Sequence, residues 1–385
     1  MKNSNQNKIF GYIEGYYGKL LNWKSRKKLV EKMYANKMNK YIYAPKEDKL
    51  HRLNWRKNYP DYWCKEFKKF CEFSRKKNIS VGIGLSPGLD FDFNCLYEAK
   101  NKNDLIESDL MILIKKFKKL LKFGANNLVL LLDDIPDNFN EKHKNINEGF
   151  LHAKLVNRLL DELNCPISIV PRVYCDELNV IKQKYLTNLV KSLNPKIKIF
   201  YCGEFIVSEQ FKSNIPIIKS LIKSKKVIFW DNYFANDYCP NRLFLGPWKT
   251  KQDDNHVMLN LTGMINTDLL LLDIVSNCKE SSSKFNSWKK TLNENNIPKE
   301  FLSVYKFFEK PNLSYEEKFK PIEFNEKIFD DLDFLIWKWK TPLSREWYPF
   351  LLNLKHDLQI LTNKLEFNRI LKTQTNPKIQ KIINY

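Results

Sequence analysis

Eight short β-rich apolar runs, each followed by an amphipathic stretch of helical period, constrain this chain more than any other feature. The runs lie near residues 9-14, 38-43, 79-85, 127-132, 166-171, 197-202, 226-230 and 256-262. Strands that alternate with helices in this way form a parallel sheet, because each return to the same end of the sheet needs a crossover helix. Eight such units over roughly 250 residues predict a closed (β/α)8 barrel, an α/β fold. Helices are expected between the strands, for example over 108-123, with Gly124 placed as its C-terminal cap, and over 150-163. Beyond Ser281-Ser282-Ser283 the pattern turns wholly helical, with stretches over 329-340 and 346-371, so a smaller all-α region over 281-385 is predicted to follow a barrel over 1-280. Trp288, Trp337, Trp339 and Trp347 of that region read as packing residues.

Composition sets the limits. At 385 residues, 43% hydrophobic and 14% aromatic, the chain has ample material for a large core. Lys+Arg 65 against Asp+Glu 44 gives a net charge of +21. That balance suits an anionic partner, yet the lysines are spread over every helix, and runs such as Lys115-Lys116-Phe117-Lys118-Lys119 read as a solvated outer face. No nucleic-acid motif accompanies them, so no specific nucleic-acid partner is expected. Eight cysteines show no CxxC pair and no regular spacing, which argues against a structural zinc or a secreted disulfide framework. Residues 1-8 lack an apolar signal core and no run approaches the ~20 apolar residues of a membrane span. A cytoplasmic protein with no membrane partner is expected.

The chemistry concentrates at Leu128-Val129-Leu130-Leu131-Leu132-Asp133-Asp134-Ile135-Pro136-Asp137, where a buried strand stops on two adjacent carboxylates. The C-terminal lip of a barrel strand is where ligands bind, so Asp133 and Asp134 are candidate acid/base groups. One competing reading is a helix cap plus a solvated Asp. Another is the D-D-x-x-D magnesium-diphosphate motif of polyprenyl synthases, through Asp133, Asp134 and Asp137. That motif rides on a long helix, a context that the preceding aliphatic run and Pro136 break, and no metal or other cofactor is expected.

The other strand ends carry a matching set. They supply Glu14-Gly15-Tyr16-Tyr17-Gly18, Tyr43-Ala44-Pro45-Lys46, Ser86-Pro87-Gly88-Leu89-Asp90, Arg172-Val173-Tyr174, Tyr201-Cys202-Gly203 and Trp230-Asp231-Asn232 with Asn236-Asp237-Tyr238. The last strand runs into Gly263 and Asn266. Aromatic faces beside Lys, Asp and Asn suit a sugar, which stacks its apolar face and hydrogen-bonds its hydroxyls. Glycoside hydrolysis also needs a carboxylic acid for the leaving oxygen.

At these positions the chain resembles family 84 of the glycoside hydrolases. The resemblance is carried, in order, by Gly11-Tyr12-Ile13-Glu14-Gly15-Tyr16-Tyr17-Gly18, by Asn39 to Asp48 with His51-Arg52, by Ser86-Pro87-Gly88, by Asp133-Asp134 and by Trp230 to Tyr238. It covers roughly residues 8-280. Continuing to Arg242-Leu243-Phe244-Leu245-Gly246-Pro247, the last run is especially similar to the eukaryotic enzymes. Members are retaining β-N-acetylglucosaminidases, O-GlcNAcases among them, and use the substrate's own 2-acetamido carbonyl as nucleophile, an exception to the two-carboxylate scheme.

The resemblance implies that Asp133 holds the acetamido N–H and that Asp134 is general acid and then general base. Adjacent carboxylates oppose each other's ionisation, which lets one keep a proton while its neighbour is charged. It further implies that Tyr174 donates to the acetamido oxygen, that Trp230 and Asn232 wall the acetyl pocket with Cys202 near the methyl, and that Gly15, Lys46, Asp237 and Asn266 hold the sugar hydroxyls. Tyr17 would flank the ring beside Tyr16. The substrate would be a glycoprotein or glycan bearing β-GlcNAc, and the helical tail, placed like the family's stalk, would support a homodimer. The chain departs from the family at Arg172-Val173, commonly Thr-Glu, at Cys202, commonly Thr, at Thr267, commonly Pro, and in the longer run Gly18 to Trp23.

Overall fold

In the computed structural model, which describes residues 8-18, 20-97, 108-136, 147-179, 183-249, 255-309 and 325-362, the eight runs form eight parallel strands. They are β1 (Phe10–Glu14), β2 (Lys40–Tyr43), β3 (Ser80–Leu85), β4 (Asn127–Leu131), β5 (Ile167–Val170), β6 (Lys198–Tyr201), β7 (Val227–Asp231) and β8 (His256–Leu259). Each pairs with the next, and β1 pairs with β8 at Phe10–Val257, Gly11–Met258 and Tyr12–Leu259, closing the barrel. The (β/α)8 expectation is met, strand by strand.

Two-residue periodicity decides what the barrel holds. Ile42 and Ala44 from β2 and its exit, Val129 and Leu131 from β4, Phe200 and Cys202 from β6, and Met258 from β8 form one buried cluster with Ile13, Ile228 and Trp230. Stepping two residues further along β4 brings the same inward face to Asp133. Residues of the opposite parity face the helices. Thus Glu14, fully buried, meets Arg26 of the helix Trp23–Ala35 at 2.7 and 3.0 Å and accepts from Tyr41. A buried carboxylate is tolerable when paired and hydrogen-bonded in this way.

The helices start and stop where their caps predict. Ser108 accepts from the Met111 amide at the head of Asp109–Lys122, and Gly124 follows its end at φ +110, a backbone conformation suited to glycine. The helix expected over 150-163 begins two residues earlier, at Glu148. One reading is corrected. Of the lysine run 115-119, Lys115 and Lys118 are exposed, but Lys116 is 2% exposed. It lies three residues from Leu113 and four from Leu120, hence on the packed face. Its ammonium donates to the carbonyls of Leu50 (2.6 Å), Trp55 (2.7 Å) and Lys57 (2.8 Å) and lies 4.8 Å from the Tyr59 ring centroid. Burial pushes this lysine down to about 8.

The chain divides into two compact units, Met1–Asn232 with Lys251–Asn260, and Tyr233–Thr250 with Leu261–Tyr385. The first contains the barrel strands. The second contains the helices Ile265–Lys279 and Lys284–Glu294, separated by the serine turn, and the helix Pro342–Leu361. The helix expected over 329-340 starts at Lys327 and widens to a π-helix over Phe334–Lys338. The next begins not at Glu346 but at Pro342, behind a Thr341–Ser344 capping box, and residues beyond 362 lie outside those described. Trp288, Trp339 and Trp347 are buried, whereas Trp337 is half-exposed and edges onto Tyr348. All eight cysteines are free thiols, and among the described residues no helix is long and apolar enough to cross a membrane.

Candidate active site

At the C-terminal lip of the first unit, β4 ends by placing Asp133 inward and Asp134 in a left-handed turn at φ +53. That conformation is uncommon for a side-chain-bearing residue and costs about 1 kcal/mol. Arg52 secures it, donating to the Asp134 carbonyl at 2.6 Å and to the Tyr17 hydroxyl at 2.5 Å. The Asp134 carboxylate, one-third exposed, accepts from Tyr17 (Oδ2, 3.0 Å) and from Tyr174 (Oδ1, 3.0 Å). Asp133 is 5% exposed; its Oδ2 accepts from the Lys46 ammonium, which also lies 3.7 Å from Asp134 Oδ2. Its Oδ1 is buried with no hydrogen-bond partner among the described residues. Buried polar atoms are nearly always paired, so such an orphan beside a carboxylate pair is a place for a ligand's N–H.

The wall of the site comes from β7, β8 and β1. Trp230 Nε1 donates to Asn232 Oδ1 at 2.8 Å, Asn260 Nδ2 donates to the same oxygen at 2.9 Å, and Asn260 Oδ1 accepts from the Gly15 amide at 3.1 Å. The Asn232 amide reaches the Ile206 carbonyl (2.9 Å) and the Cys202 sulfur (3.7 Å). Gly15 is required for space: a Cβ there would fall 2.1 Å from Trp230 Cζ2. Tyr17 is 41% exposed, with Lys46 and Arg52 both within 5.9 Å of its ring centroid, whereas Tyr16 is 2% exposed and takes the Tyr12 hydroxyl at 3.4 Å.

The electrostatics keep the tyrosines protonated. Burial, and then the nearby Asp134 charge, push Tyr174 far above the usual phenol range, and the same two causes push Tyr17 up to about 12. Both phenols are therefore neutral donors at any working pH. His51, from the same loop as Arg52, gives its Nδ1 hydrogen to the Gly84 carbonyl at 2.9 Å, and burial beside Lys46 pushes it down to about 3. It is a neutral buried support.

The structure therefore brings Gly15, Tyr17, Lys46, Asp133, Asp134, Tyr174, Cys202, Trp230 and Asn232 together at one lip. Asp237 and Asn266 belong to the second unit. There the Asp237 carboxylate accepts from the Tyr238 amide, and the Asn266 amide and side chain both donate to Glu346 Oε1 (3.0 and 2.8 Å). Thr267 gives Glu346 Oε2 an N–H and a hydroxyl, each at 2.7 Å, which a proline could not. Asp137 lies outside the described residues. Sequence reasoning missed Asn260, although counting two from His256 and Met258 lands on it, and it left Arg52 in a motif without a role. Arg172 forms a two-pronged pair with Glu148 at 2.5 and 2.7 Å, tying the loop of Tyr174 to the helix that follows the carboxylate pair.

The profile of the β-N-acetylglucosaminidase family matches residues 10–268. The chain is 31% identical over 254 residues to protein O-GlcNAcase of Mus musculus, and equally so to that of Rattus norvegicus; each match takes in 64% of this chain and 26% of the relative. It thus spans about a quarter of the length of these relatives. A solved O-GlcNAc hydrolase variant of Thermobaculum terrenum shares the fold with a TM-score of 0.71 at 20% identity, covering 97% of this chain and 94% of that one. With a family profile running through every strand of the barrel and the carboxylate pair at its lip, this chain belongs to family 84 of the glycoside hydrolases, the β-N-acetylglucosaminidases.

Proposed function

We propose that the chain is a retaining exo-β-N-acetylglucosaminidase that removes GlcNAc from serine and threonine of modified proteins by substrate-assisted catalysis. The observation that carries this reading is the orphaned, buried Asp133 Oδ1 next to an Asp134 carboxylate that opens to solvent. Asp133 accepts the substrate's acetamido N–H, which turns the acetamido oxygen toward the anomeric carbon. That oxygen forms a bond to the carbon as the glycosidic bond breaks, and Asp134 gives its proton to the departing serine or threonine oxygen. A protonated oxazoline, the oxazolinium ion, results, its N–H still held by the Asp133 carboxylate. Asp134 then takes a proton from water as the water attacks the same carbon, which restores the acetamido group and releases GlcNAc with its β configuration.

Tyr174, held protonated by its surroundings, donates to the acetamido oxygen as charge moves through it. Trp230 and Asn232 wall the acetyl group, with Cys202 at the methyl. Lys46 and the Gly15 carbonyl hold the hydroxyls, and Tyr16 and Tyr17 line the ring. Catalysis belongs to residues 1-280. The helices of 281-385 act as a stalk through which two copies pair, and the free thiols suit a cytoplasmic setting.

A second reading, hydrolysis of small glycans, uses the same machinery. Rates on an O-GlcNAc glycopeptide and on chitobiose distinguish the two: we expect a higher kcat/KM on the glycopeptide, and a preference for chitobiose overturns the protein-directed assignment. No turnover of either by folded protein overturns the hydrolase reading and leaves a GlcNAc-binding barrel.

A further inference from the structure

The opposite end of the barrel is built from unusual material. The inward face that carries Ile42, Val129, Phe200 and Met258 begins two residues earlier, at Lys40, Asn127, Lys198 and His256, the first residues of β2, β4, β6 and β8. Barrels fill such four-membered layers from alternate strands, mostly with branched apolar side chains. Here the layer holds two ammonium groups, an amide and an imidazole. Lys40 Nζ reaches across to Asn127 Oδ1 at 2.9 Å, and Lys198 Nζ donates to the Lys225 carbonyl at 3.1 Å, so each ammonium has two further hydrogens to give. His256 Nδ1 accepts from the Ile9 amide at 3.0 Å, which puts the ring hydrogen on Nε2.

The lysines around this layer act on it in one sense, and only the Cys165 thiol acts on Lys40 in the other. Burial and then Lys198, Lys40, Lys225 and Lys8 push His256 down to about 4, and burial and Lys198 push Lys40 down to about 8. Lys226 acts likewise on Lys198. Among the described residues, Lys40, Lys198, Lys225 and Lys226 form no ion pair with a carboxylate. Like charges gathered at a low-dielectric mouth repel one another and focus their field on an incoming anion.

We propose that the N-terminal mouth of the barrel binds a phosphate dianion, free or as the terminal group of a monoester, between Lys40 and Lys198 with His256 Nε2–H as a neutral donor. The site lies at the end of the barrel remote from Asp133, so its occupancy is independent of the hydrolytic reading. The test is isothermal titration at pH 7.5 with inorganic phosphate and, separately, with AMP, against chloride at matched ionic strength. We expect saturable one-site binding that weakens about tenfold or more in Lys40→Gln and in Lys198→Gln, the loss expected for one charge-assisted contact. Hydrolysis of a chromogenic β-GlcNAc glycoside should be unchanged in both variants. Binding of phosphate alone assigns the free ion, and binding of AMP as well assigns the ester. Absence of saturable binding by either, or variants that bind as tightly as the wild type, overturns the proposal. Should Lys40→Gln fail to fold, Lys198→Gln, at a more exposed position, decides it.

Discussion

The substitution Gly15→Ala puts one carbon where the site has no room. The backbone at Gly15 is outside the left-handed region, so the alanine is excluded by contact alone. Its Cβ would stand 2.1 Å from Trp230 Cζ2 and 2.4 Å from Cη2. Since carbon atoms rest about 3.5–4.0 Å apart, the indole must move by about 1.5 Å. The ring is poorly placed to do so, being 6% exposed, edge-on to Phe200 at 5.9 Å, and tied through Nε1 to Asn232 at 2.8 Å. Overpacking of this kind costs about 1–3 kcal/mol of stability. A wall displaced by more than about 1 Å lowers kcat/KM by about 100-fold. The assay is kcat/KM on a chromogenic β-GlcNAc glycoside beside urea unfolding of both proteins. A Gly15→Ala enzyme that keeps kcat/KM within threefold would refute the reasoning, because the indole would then not form the wall.

Other expectations rest on the same geometry. Lys116→Met removes the donor from the carbonyls of Leu50, Trp55 and Lys57, of which the Trp55 carbonyl is bonded in a buried position, and should cost about 1–3 kcal/mol in urea unfolding; no measurable loss would mean that water replaces the ammonium. Two wholly buried histidines make the fold acid-sensitive. His51 and His152 are pushed by burial down to about 3 and about 4, so below 6.5 the unfolded chain takes up protons that the fold refuses, and stability falls as pH falls. Each contributes about 1.4 kcal/mol per pH unit, giving a loss of about 4 kcal/mol for the pair between pH 7 and pH 5. His256, also held down to about 4, adds a similar share, so the slope should fall by roughly a third in His152→Phe, and an unchanged slope would assign the acid sensitivity elsewhere.

Strand positions were legible because a fully buried parallel strand has to be a short apolar run, and the crossover between two such strands has to be helical. The inward parity of β4 was legible too, which is why Asp133 stands out. Three kinds of feature were not. Lys116 carries the sequence signature of a solvated lysine; only the fold brings a loop, around Trp55, whose carbonyls need a cation. Glu14 sits in the most recognisable motif of the chain, yet its parity turns it away from the sugar lip toward Arg26. The grip of Glu346 on Asn266 and Thr267 joins residues 80 and 79 positions apart, and no local pattern announces a contact of that separation. By contrast Asn260 was within reach, since the alternation through β8 leads to it directly.

The central claim, that Asp134 protonates the leaving oxygen, is tested most directly by one comparison. The loss of kcat/KM in Asp134→Asn is measured on two β-GlcNAc glycosides, one with a good phenol leaving group and one with a poor alkyl alcohol. An acid catalyst matters only where the leaving oxygen needs a proton, so the account predicts a loss at least about 100-fold larger for the alkyl glycoside. Equal losses on both would contradict it and leave Asp134 as a positioning residue.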